Sequence, residues 1–245
     1  MFNNLLFFLS TCILFSNSCV IKNVVVKEIS GIKVSHTFPN MTMTGKVLDY
    51  DTLSTNIYFY KDLILYKPMY QFGSKLNGQT LETRVKTYYF VYKKNELFGF
   101  LFDDYKKING EAFLVDSVLK TDFTYNREFY KILDRGNAKL DKLSSTKNKK
   151  VYSFKGDKSN LFDTTNSGII TLEFTSGFPD IQYSLSRKLD SIYKMKLTTT
   201  KIINNARYLK ESNIYLDKIE QYYKLEKLKI ENPKVLLSFF DYYKE

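Results

Sequence analysis

The sequence predicts a mainly β protein, an antiparallel curved sheet or sandwich with a few short helices, with α+β as the nearest alternative. Three observations carry this expectation. The hydrophobic period is two over most of the chain. Turn signals separate the apolar runs, among them Asn77-Gly78 and Asn109-Gly110. Aromatic residues make up 16% of the chain, 20 Tyr and 20 Phe without Trp, and these suit the half-buried face of a strand. With 245 residues the chain is long enough to bury a sizeable core.

The elements follow in order. "KNVVVKEI" is a short β-branched run, and "NIYFYKDLILYKPMYQF" from Asn56 to Phe72 alternates as a half-buried strand does. Pro68 marks an edge or a bend near its end. Tyr88 to Tyr92 and Leu97 to Phe102 read as a hairpin turning at Lys94-Asn95. "EAFLVDSVL" is a further strand. The period then changes in "DFTYNREFYKILD", where Phe129, Ile132 and Leu133 share one helical face. Residues 135–150 are polar and read as a hinge or long surface loop. A second strand-rich block runs from Val151 to about Ile203, with "GIITLEF", "IQYSLSR" and "YKMKLTTTKI" as its strands. "ENPKVLLSFFDYYKE" predicts a short helix, with Asn232 as its cap and Pro233 at its first position.

The opening "MFNNLLFFLSTCILFSNSCVIKN" bears on compartment. Leu5 to Phe15 form an apolar run broken only by Ser10 and Thr11. A spanning helix needs roughly 20 apolar residues, whereas this length fits the core of a secretory signal. Its start lacks Lys and Arg, so a buried N-terminal strand or helix is the competing assignment. The expected organisation is a signal peptide over residues 1–18 and one β-rich domain over residues 19–245. Cys19 stands where a bacterial lipoprotein carries its acylated cysteine. Ser18 meets the demand for a small residue before it, and Ser16 departs from the Leu-like residue three before. Cys12 has Leu9 three before it but Thr11 immediately before. These are the only two cysteines, so no disulfide framework is expected and thiol chemistry has little to work with. The implied place is the periplasm or outer membrane, reached by export, with a lipid anchor at Cys19 as the link to the membrane.

The net charge is +11, nearly all of it lysine spread along the length. Nucleic-acid readers cluster arginine with aromatics on one surface, so a nucleic-acid partner is not expected. One histidine, His36, excludes a multi-histidine metal site within one chain and reads as a strand or loop residue. Asp103, Asp104, Glu111 and Asp116 are the carboxylates closest to a hydrolytic pair, which would have to flank a cleft. A solvated hairpin end explains them as well. No catalytic, cofactor-binding or metal residue is assigned and no cofactor is expected.

"EFTSGFPDIQYSLSRKLDSIYKMKL" places Gly177 and Pro179 in a strand-like run. Glycine reaches φ > 0 and proline fixes φ near −65°, so the pair predicts a stiff bend between strands ending at Phe174 and starting at Ile181. The alternative is a recognition loop with Asp180 at its tip. The stretch resembles the GLPGLI family of secreted Bacteroidetes proteins. Phe174 precedes "GFPDI", in which Gly177, Pro179 and Ile181 match while Phe178 and Asp180 replace a leucine and a glycine. The resemblance spans Leu172 to Ile203. It implies an exported, β-rich envelope protein and carries no site residues or activity.

The functional expectation is therefore an exported envelope protein acting as a non-enzymatic binding or structural module, its partner an envelope protein or an apolar ligand. The first alternative is a carrier holding an apolar or lipid ligand in a curved sheet, lined by Ile57 to Tyr66 and Tyr88 to Phe102. The second is a carboxylate-dependent hydrolase.

Overall fold

The computed structural model describes residues 29–76, 79–103, 110–120, 129, 133, 138–155, 167–178, 183–210 and 212–243. The leader, with Cys12 and Cys19, lies outside them, as do Asp104, Pro179 and Asp180. The protein is mainly β, 57% strand and 15% helix. The first strands are β1 (Ser30–Met41), β2 (Val47–Tyr60), β3 (Leu63–Leu76), β4 (Gln79–Thr87), β5 (Tyr89–Lys93), β6 (Phe98–Phe102) and β7 (Glu111–Leu114). Helix α1 (Val115–Leu119) follows, then β8 (Lys139–Asp141), β9 (Lys149–Lys155) and β10 (Ser167–Thr175). Helix α2 (Arg187–Tyr193) leads to β11 (Lys196–Asn204), β12 (Arg207–Leu209), β13 (Ile214–Leu216), β14 (Ile219–Lys227) and helix α3 (Pro233–Tyr242).

One open antiparallel sheet runs β7-β6-β5-β3-β2-β1-β14-β11-β10-β9-β8, with β4 joined to β3 beside β5. The early strand β1 and the late strand β14 are neighbours at its centre, Val34 opposite Leu225 and His36 opposite Tyr223. The outermost strands β7 and β8 have four and three residues, and short edges offer little template for pairing with another chain. The β12–β13 hairpin forms a separate two-stranded sheet.

Strand parity sorts the side chains between two faces. On one face Ile32, Val34, Ile57, Phe59, Ile64, Tyr66 and Phe90 join Ile170, Leu172, Phe174, Leu197, Tyr223 and Leu225 in a single buried cluster. Residues from β10 and β5, far apart along the sheet, belong to one cluster because the sheet curls over this face, as a twisted sheet does. Val115 and Leu119 of α1, Leu189 of α2, and the separate residues Phe129 and Leu133 cover the concavity. On the opposite, convex face, Tyr60, Leu63, Leu65, Val91 and Phe102 receive Leu236, Phe239 and Phe240 of α3. Tyr89 stacks on Phe239 at 4.5 Å between ring centroids, and Phe102 meets the same ring edge-on at 5.2 Å.

Over β11 and β14 the convex face carries a polar cluster. Glu220 accepts from Tyr222 Oη at 2.6 Å and pairs with Lys218 at 2.7 Å and Lys201 at 2.9 Å. The bonds from Lys218, Tyr222 and Lys201 hold its carboxyl down at about 2, from an ordinary 4.5. A depressed carboxylate stabilises the fold above its unfolded pKa, and that contribution fades as pH falls from about 4.5 towards 2. Glu220→Gln is expected to cost on the order of 1 kcal/mol at neutral pH, Lys218 being half exposed. The same substitution should flatten the acid limb of the stability curve between those values, read by urea melts at stepped pH. An unchanged acid limb would remove Glu220 from the account.

Several elements differ from the sequence expectation. Asn56 to Phe72 is two strands rather than one, turning at Lys61-Asp62 with Lys61 at φ 55°. Pro68 lies inside β3, where the neighbouring ladder passes from β5, ending at Tyr66, to β4, starting at Met69, so its missing N–H interrupts neither. "EAFLVDSVL" is strand only to Leu114 and helix from Val115. Within 135–150 the described residues form the short β8 and then a mostly exposed loop over 142–148 that leads into β9. Asp141 Oδ1 accepts the amides of Leu143 and Ser144 at 3.0 and 3.2 Å, and its carboxyl pKa is lowered, most by the bond from the Ser144 side chain and then by the Ser144 and Leu143 amides. The predicted hairpin at Lys94-Asn95 is present, with Asn95 at φ 69°. The C-terminal helix is present too. Asn232 occupies its cap position through its carbonyl, bonded to Leu236 N–H at 3.3 Å, and not through its side chain.

Candidate functional site

The concave face is graded in polarity along its strands. At one end it is aliphatic, Ile32 opposite Ile57 and Ile57 opposite Tyr66. A transverse row follows, in which Leu172, Thr200, Tyr223, His36 and Leu53 are successive cross-strand partners. His36 stacks on Tyr223 at 4.0 Å and 8°, and Phe129 meets Tyr223 edge-on at 4.7 Å. His36 is thus a strand residue within an aromatic group. Thr200 is fully buried, and among the described residues its hydroxyl has no hydrogen-bond partner. Beyond the row, towards the β1–β2 turn, the face becomes acidic. The Asn40 amide donates to Asp49 Oδ1 at 2.7 Å and Asp51 Oδ2 at 2.6 Å, fixing both carboxylates at the margin.

The lining expected from Ile57 to Tyr66 and Tyr88 to Phe102 is half correct. Ile57, Phe59, Ile64, Tyr66 and Phe90 face the concavity, while Leu63, Leu65, Val91 and Phe102 pack under α3. Sequence reasoning missed Thr200, Tyr223, Asn40, Asp49 and Asp51. Only the β11–β14–β1 register brings Thr200 and Tyr223 to His36, while Asn40, Asp49 and Asp51 share the β1–β2 hairpin without a distinguishing motif.

Gly177 lies in the turn after β10 at φ +76°, and Pro179 lies outside the described residues. Of the strand expected from Ile181, the first two residues lie outside the described ones. Tyr183, Ser184 and Leu185 are not strand, and Ser186 caps α2 by accepting Leu189 N–H at 3.3 Å. A cleft of about 310 Å³ opens at this turn between Gly177, Phe178, Lys194 and Met195. Its wall is tied down by Asp190, which accepts Ser184 Oγ and Leu197 N–H, both at 2.7 Å, and pairs with Lys196 at 3.2 Å. Lys227 Nζ donates to Gly177 O at 3.3 Å and lies over the Phe178 ring. These groups secure a bend between β10 and α2. A Cβ on Gly177 would meet nothing within 4 Å, so Gly177→Ala carries only the strain of positive φ. It is expected to lose about 1 kcal/mol, a drop of a few degrees in a thermal melt. A melt superimposable on wild type would show that the bend does not depend on glycine.

Asp103 and Glu111 are exposed at the β6 and β7 ends, and Asp116 is exposed on α1 with Lys120 at 3.4 Å. Each of the three lies in solvent. The chain matches no protein-family model and no curated protein.

Proposed function

We propose that the protein is an exported cell-envelope protein acting as a non-enzymatic binding module, and that it holds an apolar or lipid ligand against the concave face. One observation carries this reading. Apolar side chains line that face from β10 across to β5, and short helical segments cover them where a sandwich would have a second sheet. The five-residue α1, anchored through Val115 and Leu119, is the part of the cover that a ligand would displace, since Asp190 bonds α2 to β11. The grading of the face suits a ligand with an apolar tail and a polar end, the tail among Ile32, Ile57 and Tyr66 and the polar end towards Asn40, Asp49 and Asp51. The apolar leader and the GLPGLI-like segment support export. Cys19 is the proposed point of lipid attachment, in the periplasm or at the outer membrane.

Native mass spectrometry of the protein purified from cell envelopes is expected to show a bound lipid, displaced by fatty-acid probes. No co-purified lipid and no probe binding would leave the face an ordinary core. Palmitate labelling of wild type and of Cys19→Ala tests the anchor, and absence of label from both removes it.

A further inference from the structure

The β12–β13 hairpin stands outside the large sheet and is seated on the β1–β2 turn. Asp217 N–H donates to Gly45 O at 3.0 Å, and Asp217 Oδ2 accepts Val47 N–H at 2.9 Å. The fit is close, since a Cβ on Gly45 would lie 2.6 Å from Tyr215 O. The two turns therefore form one rigid tip, at the acidic margin of the concave face. Ile214 and Leu216 turn inward against Gly45. Other apolar side chains of the tip point out. Met43 is 99% exposed, and the cross-strand partners Tyr208 and Tyr215 are 47% and 58% exposed. Lys46, in the β1–β2 turn with Met43, and Lys210, directly after β12, are exposed as well. Single exposed apolar residues are ordinary, but a group gathered on one locked tip marks a contact surface.

We infer that this tip docks on an anionic lipid bilayer. Met43, Tyr208 and Tyr215 enter the interfacial layer while Lys46 and Lys210 meet the head groups. The residue types choose the occupant. Tyrosine favours the head-group level of a membrane, where its ring is in an apolar layer and its hydroxyl in a wet one. Lysine can lay its stem along apolar surface and keep its ammonium among phosphates, whereas lysine is depleted from the cores of protein interfaces. The carboxylates nearest the tip, Asp49, Asp51 and Asp217, are each engaged by a protein N–H, and the chain's net charge of +11 adds long-range attraction to an anionic surface.

The test uses the full chain carrying Cys19→Ala, so that no acyl group at that position contributes. It is sedimented with phosphatidylcholine vesicles that contain a minority of phosphatidylglycerol. Binding is expected, weaker on pure phosphatidylcholine and weaker in high salt. Met43→Ser, Tyr208→Ser and Tyr215→Ser combined should lower the partition about tenfold. Lys46→Gln with Lys210→Gln should lower it several-fold on the anionic vesicles alone. Leu143→Ser, which removes an equally exposed apolar side chain away from the tip, should leave it unchanged. Circular dichroism checks that each variant is folded. Equal partition of the tip triple variant and its parent overturns the inference. So does a parent that ignores vesicles and runs as a dimer that the triple variant dissociates, since a second copy then covers the tip.

Discussion

Phe90→Ala is expected to lose about 3–5 kcal/mol of folding stability, the range for truncating a fully buried phenylalanine. Phe90 has no exposed surface. Its cross-strand partners are Tyr66 on β3 and Leu101 on β6, and its ring stacks at 5.6 Å on that of Tyr92. The ring also occupies space left by a glycine. A Cβ on Gly99 would lie 2.6 Å from Phe90 Cζ, so the hairpin is built around one large and one absent side chain. The backbone of β5 is held by ladders on both sides and cannot close the cavity. The expected readout is a lower urea midpoint with an unchanged slope, against a typical total stability of about 5–15 kcal/mol. Phe98, on the same hairpin but largely exposed, should tolerate alanine within about 0.5 kcal/mol. A Phe90→Ala loss as small as that would mean the cover over the concave face is not packed as described.

Such packing was legible where sequence neighbours are also spatial neighbours. The β5–β6 hairpin follows from alternation and from Asn95, which takes the positive φ its turn requires. Helix α3 follows from Pro233 and the spacing of Leu236, Phe239 and Phe240, all buried against the sheet. Reading failed where a turn lacks turn residues. Lys61 adopts φ 55° without being Gly or Asn, so the β2–β3 hairpin looks like one long strand. It failed again at residues 183–193, where Ser184 and Ser186 sit in the alternating run "IQYSLSR" and read as strand residues, with Asp190 in the polar gap after it. They are instead the bonds that start α2 and join it to β11. The strand β14 escaped altogether. Its Glu220, Lys224 and Glu226 face solvent and mask the inward alternation of Tyr223 and Leu225, although it lies at the centre of the sheet.

The candidate site inherits that limit. His36 and Tyr223 touch only because β1 and β14 pair, and Thr200 joins them only through β11. The Asn40, Asp49 and Asp51 group is local to one hairpin, yet it has the composition of an ordinary turn flank. The two glycine positions are instructive for the same reason. The sequence singled out Gly177, where the structure has open space, and gave no sign of Gly168, where it has none.

Gly168→Ala is therefore expected to be far more damaging than Gly177→Ala. Gly168 lies in β10, opposite Phe154 of β9 and Asn204 of β11. A Cβ there would run into Ile203 O and lie 2.7 Å from Phe154 Cζ. The phenylalanine ring can swing, but the carbonyl belongs to the neighbouring strand's backbone. A Cβ has no rotamer of its own, so the conflict can be relieved only by moving one strand against the other. Strand β10 is held on both sides, and β11 is itself paired to β14, which is paired to β1 at the centre of the sheet. Displacement would therefore disturb the row that carries Thr200, Tyr223 and His36. Overpacking of this kind costs about 1–3 kcal/mol when side chains can yield, and the upper end or beyond is expected where backbone must. Gly177→Ala meets no atom and loses only about 1 kcal/mol from its dihedral. Parallel thermal melts should rank wild type above Gly177→Ala and Gly177→Ala well above Gly168→Ala. The reverse order would show that β10 and β11 do not approach each other at Gly168 as the register requires.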